Sequence, residues 1–162
     1  MPHFSTKRRV PHAATDMFDL VADVEKYPQF VPLCSALKVK SRTEKDGVTV
    51  LVADMTVAYK IIRETFTSRV TLDRPGLRIF VEYLSGPFKR MQNRWRFVPV
   101  GEDACEIEFF IDYEFRSRAL AAVMGSVFDA AFRKFAVAFE RRADEVYGRP
   151  GVNAFGGRQK NL

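Results

Sequence analysis

Few residues in this sequence have the types and spacing that catalysis or metal binding requires. The chain has two histidines, His3 and His12, and two cysteines, Cys34 and Cys105, and these four form no CxxC or other zinc-binding spacing. The sequence contains no HExxH, GxSxG, P-loop or GxGxxG motif. We therefore predict no metal site, no catalytic residue and no enzymatic activity, and we expect both cysteines to be buried or half-buried thiols.

Glu64 and His12 are the two residues most similar to general acid–base groups. Glu64 falls on the apolar register of a predicted strand, and a carboxyl group in an apolar cavity can acquire a raised pKa and act as a base. A buried, hydrogen-bonded glutamate is the simpler interpretation, and a cyclase-like enzyme that uses Glu64 stays an alternative. His12 follows Pro11, which predicts a solvated loop residue.

The composition fits one globular domain. The 162 residues are 47% hydrophobic, and phenylalanine alone occurs 15 times. Charged residues interrupt each apolar run before the roughly 18 residues that a membrane-spanning helix needs, and the basic N-terminus lacks the apolar segment of an export signal. We expect one ligand-binding domain over 1–148, a disordered tail over 149–162, and a protein that stays in the cytoplasm or an organelle matrix.

The apolar pattern predicts a first strand, then two short helices, and then the further strands of a sheet. Residues 4–10 alternate as an edge strand would, residues 13–22 have helical spacing, and a second short helix precedes Pro32. The period is then two for about eighty residues, with turn residues at 46–47, 73–76, 85–87 and 101–103. These segments predict an antiparallel meander of six to seven strands.

Residues 117–147 form the longest helical pattern, with Ser117 as the cap and Gly148 as the stop. At about 1.5 Å per residue this helix is about 45 Å long, enough to cover the apolar face of a curved sheet. We predict an α+β fold in which a curved antiparallel sheet of six to seven strands surrounds the long C-terminal helix, with two short helices after the first strand.

The first half of this helix is apolar over most of its circumference, which exceeds the needs of a one-sided amphipathic helix. Two interpretations stay open: a large phenylalanine-rich core, or an aromatic-lined tunnel of about 300 to 1,000 Å³. The residues predicted to line such a tunnel are Phe66, Val70, Tyr83, Trp95, Phe97, Phe109, Tyr113, Phe128, Phe132 and Phe135. Loops at 27–32 and 86–88 would close it.

Basic residues on the outward register raise the alternative of nucleic-acid binding. Many alternate with acids on neighbouring strands, which is typical of cross-strand pairing on a solvated face. The sequence shows no paired aromatic motif of a base-stacking sheet. We therefore predict no DNA partner.

Three segments carry a family resemblance: VADVEKYPQFVPLC at 21–34, GPF at 86–88 and NRWRF at 93–97. They resemble the coenzyme Q-binding branch of the START-like superfamily (polyketide cyclase/dehydrase, helix-grip), a branch that also includes the bacterial ribosome-association toxin. The likeness covers residues 4–147 in the same order, and the first segment is the most specific. Leu33 stands where relatives often have an aromatic residue, and Ala13 stands where a capping serine is usual.

The resemblance implies a helix-grip fold whose tunnel binds ubiquinone or a related isoprenoid quinone without transforming it, so that the quinone is a ligand and no catalytic cofactor is expected. It implies that the tunnel entrance is formed by Tyr27, Pro28, Phe30, Val31, Pro32 and Phe88. Donors for the quinone carbonyls would come from Ser68 or Asn93, which lie on the inward register.

The net charge of +6 favours peripheral contact with anionic lipid, at the cytoplasmic face of the membrane or at its matrix face in a eukaryote. The expected role is that of a quinone carrier supporting respiratory electron transport and quinone synthesis. The alternative from the same resemblance is a protein that binds ribosomal subunits through basic residues.

Overall fold

The structure, a computed structural model, describes residues 3–148. The elements follow in the order β1 (His3–Val10), α1 (Ala14–Ala22), a 3₁₀ helix (Val24–Gln29), β2 (Cys34–Lys45), β3 (Val48–Tyr59), β4 (Ile62–Asp73), β5 (Arg78–Ser85), β6 (Phe88–Pro99), β7 (Cys105–Phe115) and α2 (Arg118–Tyr147). The residues 149–162, predicted to be a disordered tail, lie outside the described residues.

One antiparallel sheet of seven strands has the order β1-β7-β6-β5-β4-β3-β2. Strands β2 to β7 form the predicted meander, and β1 pairs with β7 at one edge. Four turns fall at the predicted positions, where residues such as Gly47 and Gly101 adopt positive φ, which glycine tolerates. The turn at 60–61 between β3 and β4 was not predicted. The predicted α+β helix-grip fold is confirmed.

Strand β7 shows why the sheet has one apolar face. Its residues alternate strictly between buried and half-buried, with the odd-numbered positions from Cys105 to Phe115 facing inward. A strand places successive side chains on opposite faces, so this sequence can bury only one of them. Helix α2 covers that face, packing against β1 and β7, while α1 packs against β6 and α2.

Helix α2 begins and ends as predicted. The Ser117 hydroxyl accepts a hydrogen bond from the Leu120 amide at 3.2 Å, and Gly148 follows the last turn with φ +90°. Its buried stripe consists of Met124, Phe128, Ala131, Phe132, Ala136, Phe139 and Ala143. Val123, in the first half of α2, is 54% exposed, so part of the apolar circumference of this half faces solvent.

Candidate functional site

An apolar cavity of about 110 Å³ lies between the sheet and α2. Strands β2 to β7, the 3₁₀ helix, the loop before β2 and helix α2 all contribute side chains to it. The lining residues are Val24, Tyr27, Pro32, Leu33, Leu37, Ala53, Met55, Val57, Phe66, Ser68, Val70, Ile79, Val81, Phe88, Met91, Asn93, Trp95, Ile111, Phe128, Ala131, Phe132, Phe135 and Phe139. Hydrocarbon and ring carbon make up most of its surface, which suits an apolar ligand.

Most of the predicted lining residues meet at this cavity. The structure brings together Phe66, Val70, Trp95, Phe128, Phe132 and Phe135, together with the predicted polar residues Ser68 and Asn93. They come from two strands and one helix, and they converge because each occupies the inward position of its strand or the sheet-facing side of α2. Their contact with a ligand stays a prediction.

Four predicted lining residues, Tyr83, Phe97, Phe109 and Tyr113, do not line this cavity, and their contact with a ligand stays a prediction. Phe97 lies beneath Phe18 of α1, with ring centroids 5.9 Å apart, and Phe109 lies between Trp95 and Phe4. Tyr113 packs against Phe88, Phe128 and Phe132. The cause is the position of the helices, which cover the β1, β6 and β7 side of the sheet and leave space toward β3 and β4.

Tyr83, the fourth of these residues, has a role in the loop instead. Its hydroxyl accepts a hydrogen bond from the Phe88 amide at 3.0 Å, and the two rings meet edge to face at 5.6 Å. Tyr83 therefore fixes the 86–88 loop. Gly86, at φ +140°, is needed there because a Cβ would lie 2.6 Å from the Phe66 Cβ.

Some of the predicted entrance residues line the cavity and others do not. Tyr27, Pro32 and Phe88 line the cavity. Pro28 is exposed inside the 3₁₀ helix, and Val31 is buried away from the cavity. Phe30 contacts Phe139 edge to face at 5.0 Å. Pro28, Phe30 and Val31 do not line the cavity, and their place at an entrance stays a prediction.

Ser68 is the polar group in the cavity that lacks a partner. The residue is only 5% exposed, its side chain faces the cavity from β4, and its Oγ has no hydrogen-bond partner among the described residues. A buried hydroxyl without a partner loses its hydration without compensation, at a cost of about 1–3 kcal/mol. A ligand that accepts a hydrogen bond would recover that loss.

Asn93 and Trp95 form a second polar feature. The Asn93 Nδ2 donates to the Phe110 carbonyl at 2.9 Å, and its Oδ1 accepts from the Trp95 Nε1 at 3.1 Å. The Asn93 side chain therefore orients the indole ring against the cavity and keeps one N–H that these two bonds do not use.

Tyr27 closes the cavity beside the 3₁₀ helix. Its hydroxyl donates to the Val21 carbonyl at 2.5 Å, and its ring meets Phe139 edge to face. Burial raises the pKa of Tyr27 well above its ordinary value, and the nearby ionisable groups Cys34 and Asp23 act in the same direction. The phenol is therefore a neutral structural group at physiological pH.

The cavity is smaller than the sequence predicted. About 110 Å³ is below the predicted 300 to 1,000 Å³, and an engineered cavity of about 150 Å³ holds a single benzene molecule. The aromatic excess therefore forms mostly core, and the space that is left is smaller than the predicted tunnel. Phe88, Phe115, Phe128 and Tyr113 form a solid cluster, and the space lies next to it.

The titratable residues, Tyr27 apart, lie outside the cavity. Glu64 is half-buried on β4 and does not line it, so no carboxylate, histidine or cysteine from the described residues does. His12 contradicts its prediction as a solvated residue: it is 5% exposed, and its Nε2 lies 2.7 Å from the Asp144 Oδ1.

Both cysteines are buried thiols, as predicted. Burial raises the pKa of Cys34 to about 11 and that of Cys105 to about 11. Within residues 3–148, no group of three or more histidine, cysteine, aspartate or glutamate side chains is placed to hold a metal ion.

Several lining residues were missed by the sequence-based prediction. Leu37, Ala53, Met55 and Val57 come from β2 and β3 and form the far wall of the cavity. They share the same alternation as the predicted residues, so the signal was present, but it is weaker there because valine and alanine also occupy the outward positions.

Comparison with known proteins identifies the family. A family model described as polyketide cyclase / dehydrase and lipid transport matches residues 10–140. The chain belongs to this family. Among its relatives, the Ribosome association toxin RatA of Escherichia coli (strain K12) is 35% identical over 147 residues, covering 91% of this chain and 90% of that protein. The START-like resemblance is thereby confirmed.

Two further proteins are similar to this chain, one in sequence and one in fold. The Coenzyme Q-binding protein COQ10 homolog B, mitochondrial, of Xenopus laevis is 30% identical over 153 residues, covering 92% of this chain and 61% of that protein. A START superfamily protein from Mycobacterium smegmatis superposes with a TM-score of 0.74 at 22% identity, covering 89% of this chain and 98% of that one, which shows the shared fold.

None of the helices within residues 3–148 has the length and hydropathy needed to cross a bilayer.

Proposed function

We propose that this member of the polyketide cyclase/dehydrase and lipid transport family binds ubiquinone or a related isoprenoid quinone in its inner cavity and carries it without transforming it. One observation carries the proposal: a cavity lined almost wholly by apolar side chains contains a buried hydroxyl, Ser68, that lacks a hydrogen-bond partner among the described residues. A quinone combines an apolar ring and tail with carbonyl oxygens that accept hydrogen bonds.

The head group is the part of the ligand that the polar residues recognise. Ser68 donates to one quinone carbonyl, and the Asn93 N–H that is not used by the Phe110 carbonyl is the second donor. The Trp95 ring, oriented by Asn93, offers a flat surface on which the quinone ring stacks. No covalent step is included because the described lining residues supply no carboxylate, imidazole or thiol.

Binding requires the cavity to open. A substituted quinone ring is larger than benzene, and about 110 Å³ is too small even before a tail is added. Helix α2 consists of an N-terminal half, residues 118–132, and a C-terminal half, residues 133–147. The two halves differ in their polar contacts with other elements. Within the described residues, no hydrogen bond or ion pair joins residues 118–132 to another element, whereas residues 133–147 make several. We assign the opening to movement of residues 118–132.

The energetics favour exchange over tight capture. Each CH₂ group buried from water is worth about 0.8 kcal/mol, but an isoprenoid tail that leaves a bilayer is already out of water. Transfer of the tail into an apolar cavity is therefore nearly neutral. Selectivity comes from the head group, and a carrier of this kind releases its ligand readily.

One end of the molecule suits an anionic membrane. Three exposed apolar residues lie there: Ile61, 99% exposed in the β3–β4 turn, Leu84 at the end of β5, and Val123 in the first half of α2. Because the strands are antiparallel, the end of β5, the β3–β4 turn and the start of α2 lie beside the same ends of the strands. Exposed or half-buried basic residues at this end are Lys60, Arg63, Lys89, Arg116 and Arg118.

The cavity residues Pro32, Leu33 and Phe88 lie at the same end of the molecule. The Leu33 carbonyl accepts a hydrogen bond from the Ala58 amide near the end of β3, and Phe88 is the first residue of β6. We propose peripheral contact through this surface, with each basic residue near an anionic leaflet worth about 1 kcal/mol. The corresponding location is the cytoplasmic face of the membrane, or its matrix face in a eukaryote.

The test is lipid analysis of protein purified from a membrane-containing lysate, followed by titration with a short-tailed ubiquinone. We expect quinone in the organic extract and saturable binding, weakened about 3- to 10-fold by Ser68→Ala. The matched control is Thr65→Ala, which changes a threonine on the same strand whose hydroxyl bonds to Thr56 outside the cavity. Extracts without quinone, together with no binding of added quinone, would overturn the proposal.

A second candidate function is binding to ribosomal subunits. It is favoured by the relatives named for ribosome association: the Escherichia coli (strain K12) protein matches over 90% of its own length at 35% identity, against 61% at 30% for the coenzyme Q-binding relative. Sedimentation of the purified protein with ribosomal subunits tests it. Co-sedimentation that blocks subunit association supports it, and free protein at the top of the gradient contradicts it.

A cyclase-like activity is a third alternative. It would need an acid or base in the cavity, and Glu64, the sequence candidate, lies outside the lining. If an activity on a cyclising polyketide substrate is found and Glu64→Gln leaves it intact, Glu64 is not its base.

A further inference from the structure

The outer face of the sheet carries a concave groove of about 780 Å³, larger than the inner cavity. Its centre is a row of three side chains from adjacent strands: Phe80 on β5 pairs in register with Arg94 on β6, and Arg94 pairs with Phe110 on β7. Adjacent strands lie about 4.8 Å apart, so the backbones of Phe80 and Phe110 are about 10 Å apart, with Arg94 on the strand between them. The fold brings together Phe80 and Phe110, which no motif along the sequence pairs.

Phe80 and Phe110 are apolar residues at outward positions, where the alternation of their strands predicts polar residues. In β5 and β7 the inward positions carry the core residues, and Phe80 and Phe110 occupy outward positions among charged neighbours. Each is half-buried, so part of each ring stays open to solvent. A solvated sheet face does not need phenylalanine, and two such residues in one groove indicate a binding surface.

The charge in the groove is positive. Four basic side chains, Lys7, Arg78, Arg94 and Arg96, line it with two acidic ones, Asp73 and Glu108. Glu108 is shared by Lys7 at 4.0 Å and Arg96 at 3.7 Å, and Arg78 lies 3.5 Å from Asp73. These pairs are solvent-exposed and therefore weak, so an anionic ligand can replace them.

Arg94 differs from the other three cations. Its guanidinium lies 4.5 Å from the centroid of the Phe110 ring, and no carboxylate within residues 3–148 lies at ion-pair distance from it. A guanidinium over an aromatic ring keeps N–H groups that can donate to phosphate oxygens, and guanidinium groups also stack on bases.

We propose that this groove binds single-stranded RNA. Bases stack on Phe80 and on the Arg94–Phe110 pair, and Lys7, Arg78 and Arg96 contact the phosphates, which is the combination of ring and cation that single strands require. An acidic peptide would use the cations but would leave the two rings without a role. The groove alone carries this proposal, which is independent of the ligand in the inner cavity.

The experiment is fluorescence anisotropy of a labelled 12-nucleotide oligouridine titrated with the full chain at 50 mM and 200 mM salt. We expect saturable binding that weakens at least tenfold at the higher salt. Phe110→Leu, which keeps the apolar volume and removes the ring, and Arg94→Gln should each weaken binding about 5- to 150-fold.

The matched control is Arg69→Gln, which removes a cation of the same outer face that is paired with Glu82 and lies outside the groove. We expect less than a twofold change for it, and unchanged quinone binding for the groove variants. The proposal is overturned by a lack of saturable binding, by an equal loss in Arg69→Gln, or by polyglutamate displacing the RNA as well as unlabelled oligouridine does at the same charge concentration.

Discussion

The two halves of helix α2 are attached to the rest of the protein by different forces. Residues 133–147 are held by polar contacts as well as packing: Arg8 bonds to Glu140 at 2.6 Å, His12 to Asp144 at 2.7 Å, and Arg142 to Gln29 at 2.5 Å. Residues 118–132 are held by apolar packing, without a hydrogen bond or ion pair to another element among the described residues.

This difference shows how one helix can serve both stability and ligand exchange. Directional contacts fix the C-terminal half in one position, because moving it would break charge-assisted hydrogen bonds. Apolar packing is not directional, so the N-terminal half can separate from the sheet and repack around a ligand. Segments with few such constraints are the ones that open locally.

The largest effect is expected in the fixed half, from Phe139→Ala. Phe139 is 1% exposed and contacts Tyr27, Phe30 and Trp95. We expect the free energy of unfolding in urea to fall by about 3–5 kcal/mol. Val123→Ala, in the other half and 54% exposed, should change it by less than about 0.5 kcal/mol. Val123→Ala is the surface control, and a loss of less than about 1 kcal/mol in Phe139→Ala would show that Phe139 does not hold residues 133–147 in place.

The next effect is expected from the buried histidine. His12→Ala removes a hydrogen bond to Asp144 from a residue that is 5% exposed, and we expect a loss of about 1–3 kcal/mol. His3→Ala, at an exposed position of β1, is the control and should be neutral within about 0.5 kcal/mol. Thermal unfolding measures both. An equal effect of the two variants would show that the His12 contact does not hold α2.

A stabilising change is expected in the movable half. Gly125 lies inside α2, where a Cβ would meet no atom of another element within 4 Å, and glycine in a helix interior is about 1 kcal/mol less favourable than alanine. Gly125→Ala should therefore raise stability by up to about 1 kcal/mol and slow quinone exchange. Gly101→Ala, also unobstructed but at φ +76°, should be destabilising. Unchanged quinone exchange in a stabilised Gly125→Ala would argue against opening by this half.

The smallest effect concerns the two thiols. The pKa of each is raised to about 11 by burial, so at pH 8 about one thiol in a thousand is ionised and alkylation is slow. Reactivity should rise as the pH approaches 11. Cys34 follows the cavity residues Pro32 and Leu33, whereas Cys105 pairs with Val10 beside the fixed half, so we expect Cys34 to react first. Mass spectrometry of partially alkylated protein gives the order, and the reverse order would place the opening at the other end.

The fold could be predicted from the sequence because its signals are local and repeated. Strand β7 alternates over eleven residues, and α2 has a cap at Ser117 and a stop at Gly148, so each element is specified by neighbours along the chain. Helical and strand periods differ enough to be distinguished over such lengths.

The site could be predicted only in part because it depends on contacts between distant segments. Inward positions such as Phe66 and Trp95 follow from alternation, but whether an inward residue lines space or is covered by a helix does not, as Phe97 and Phe109 show. His12 gives no periodic signal, since its partner lies 132 residues away. The cavity volume depends on the packing of side chains from every one of these elements.

The most direct test of quinone binding in the cavity uses Trp95, the single tryptophan of the chain, which is one of its lining residues. Its fluorescence is followed during titration with a short-tailed ubiquinone, because a quinone in contact with an indole quenches its emission. We expect saturable quenching in the wild type and in Val123→Ala, and its loss in Ala131→Leu, which fills the cavity while thermal unfolding shows a folded protein. Quenching that increases linearly with quinone concentration and is equal in all three proteins would contradict binding in the cavity.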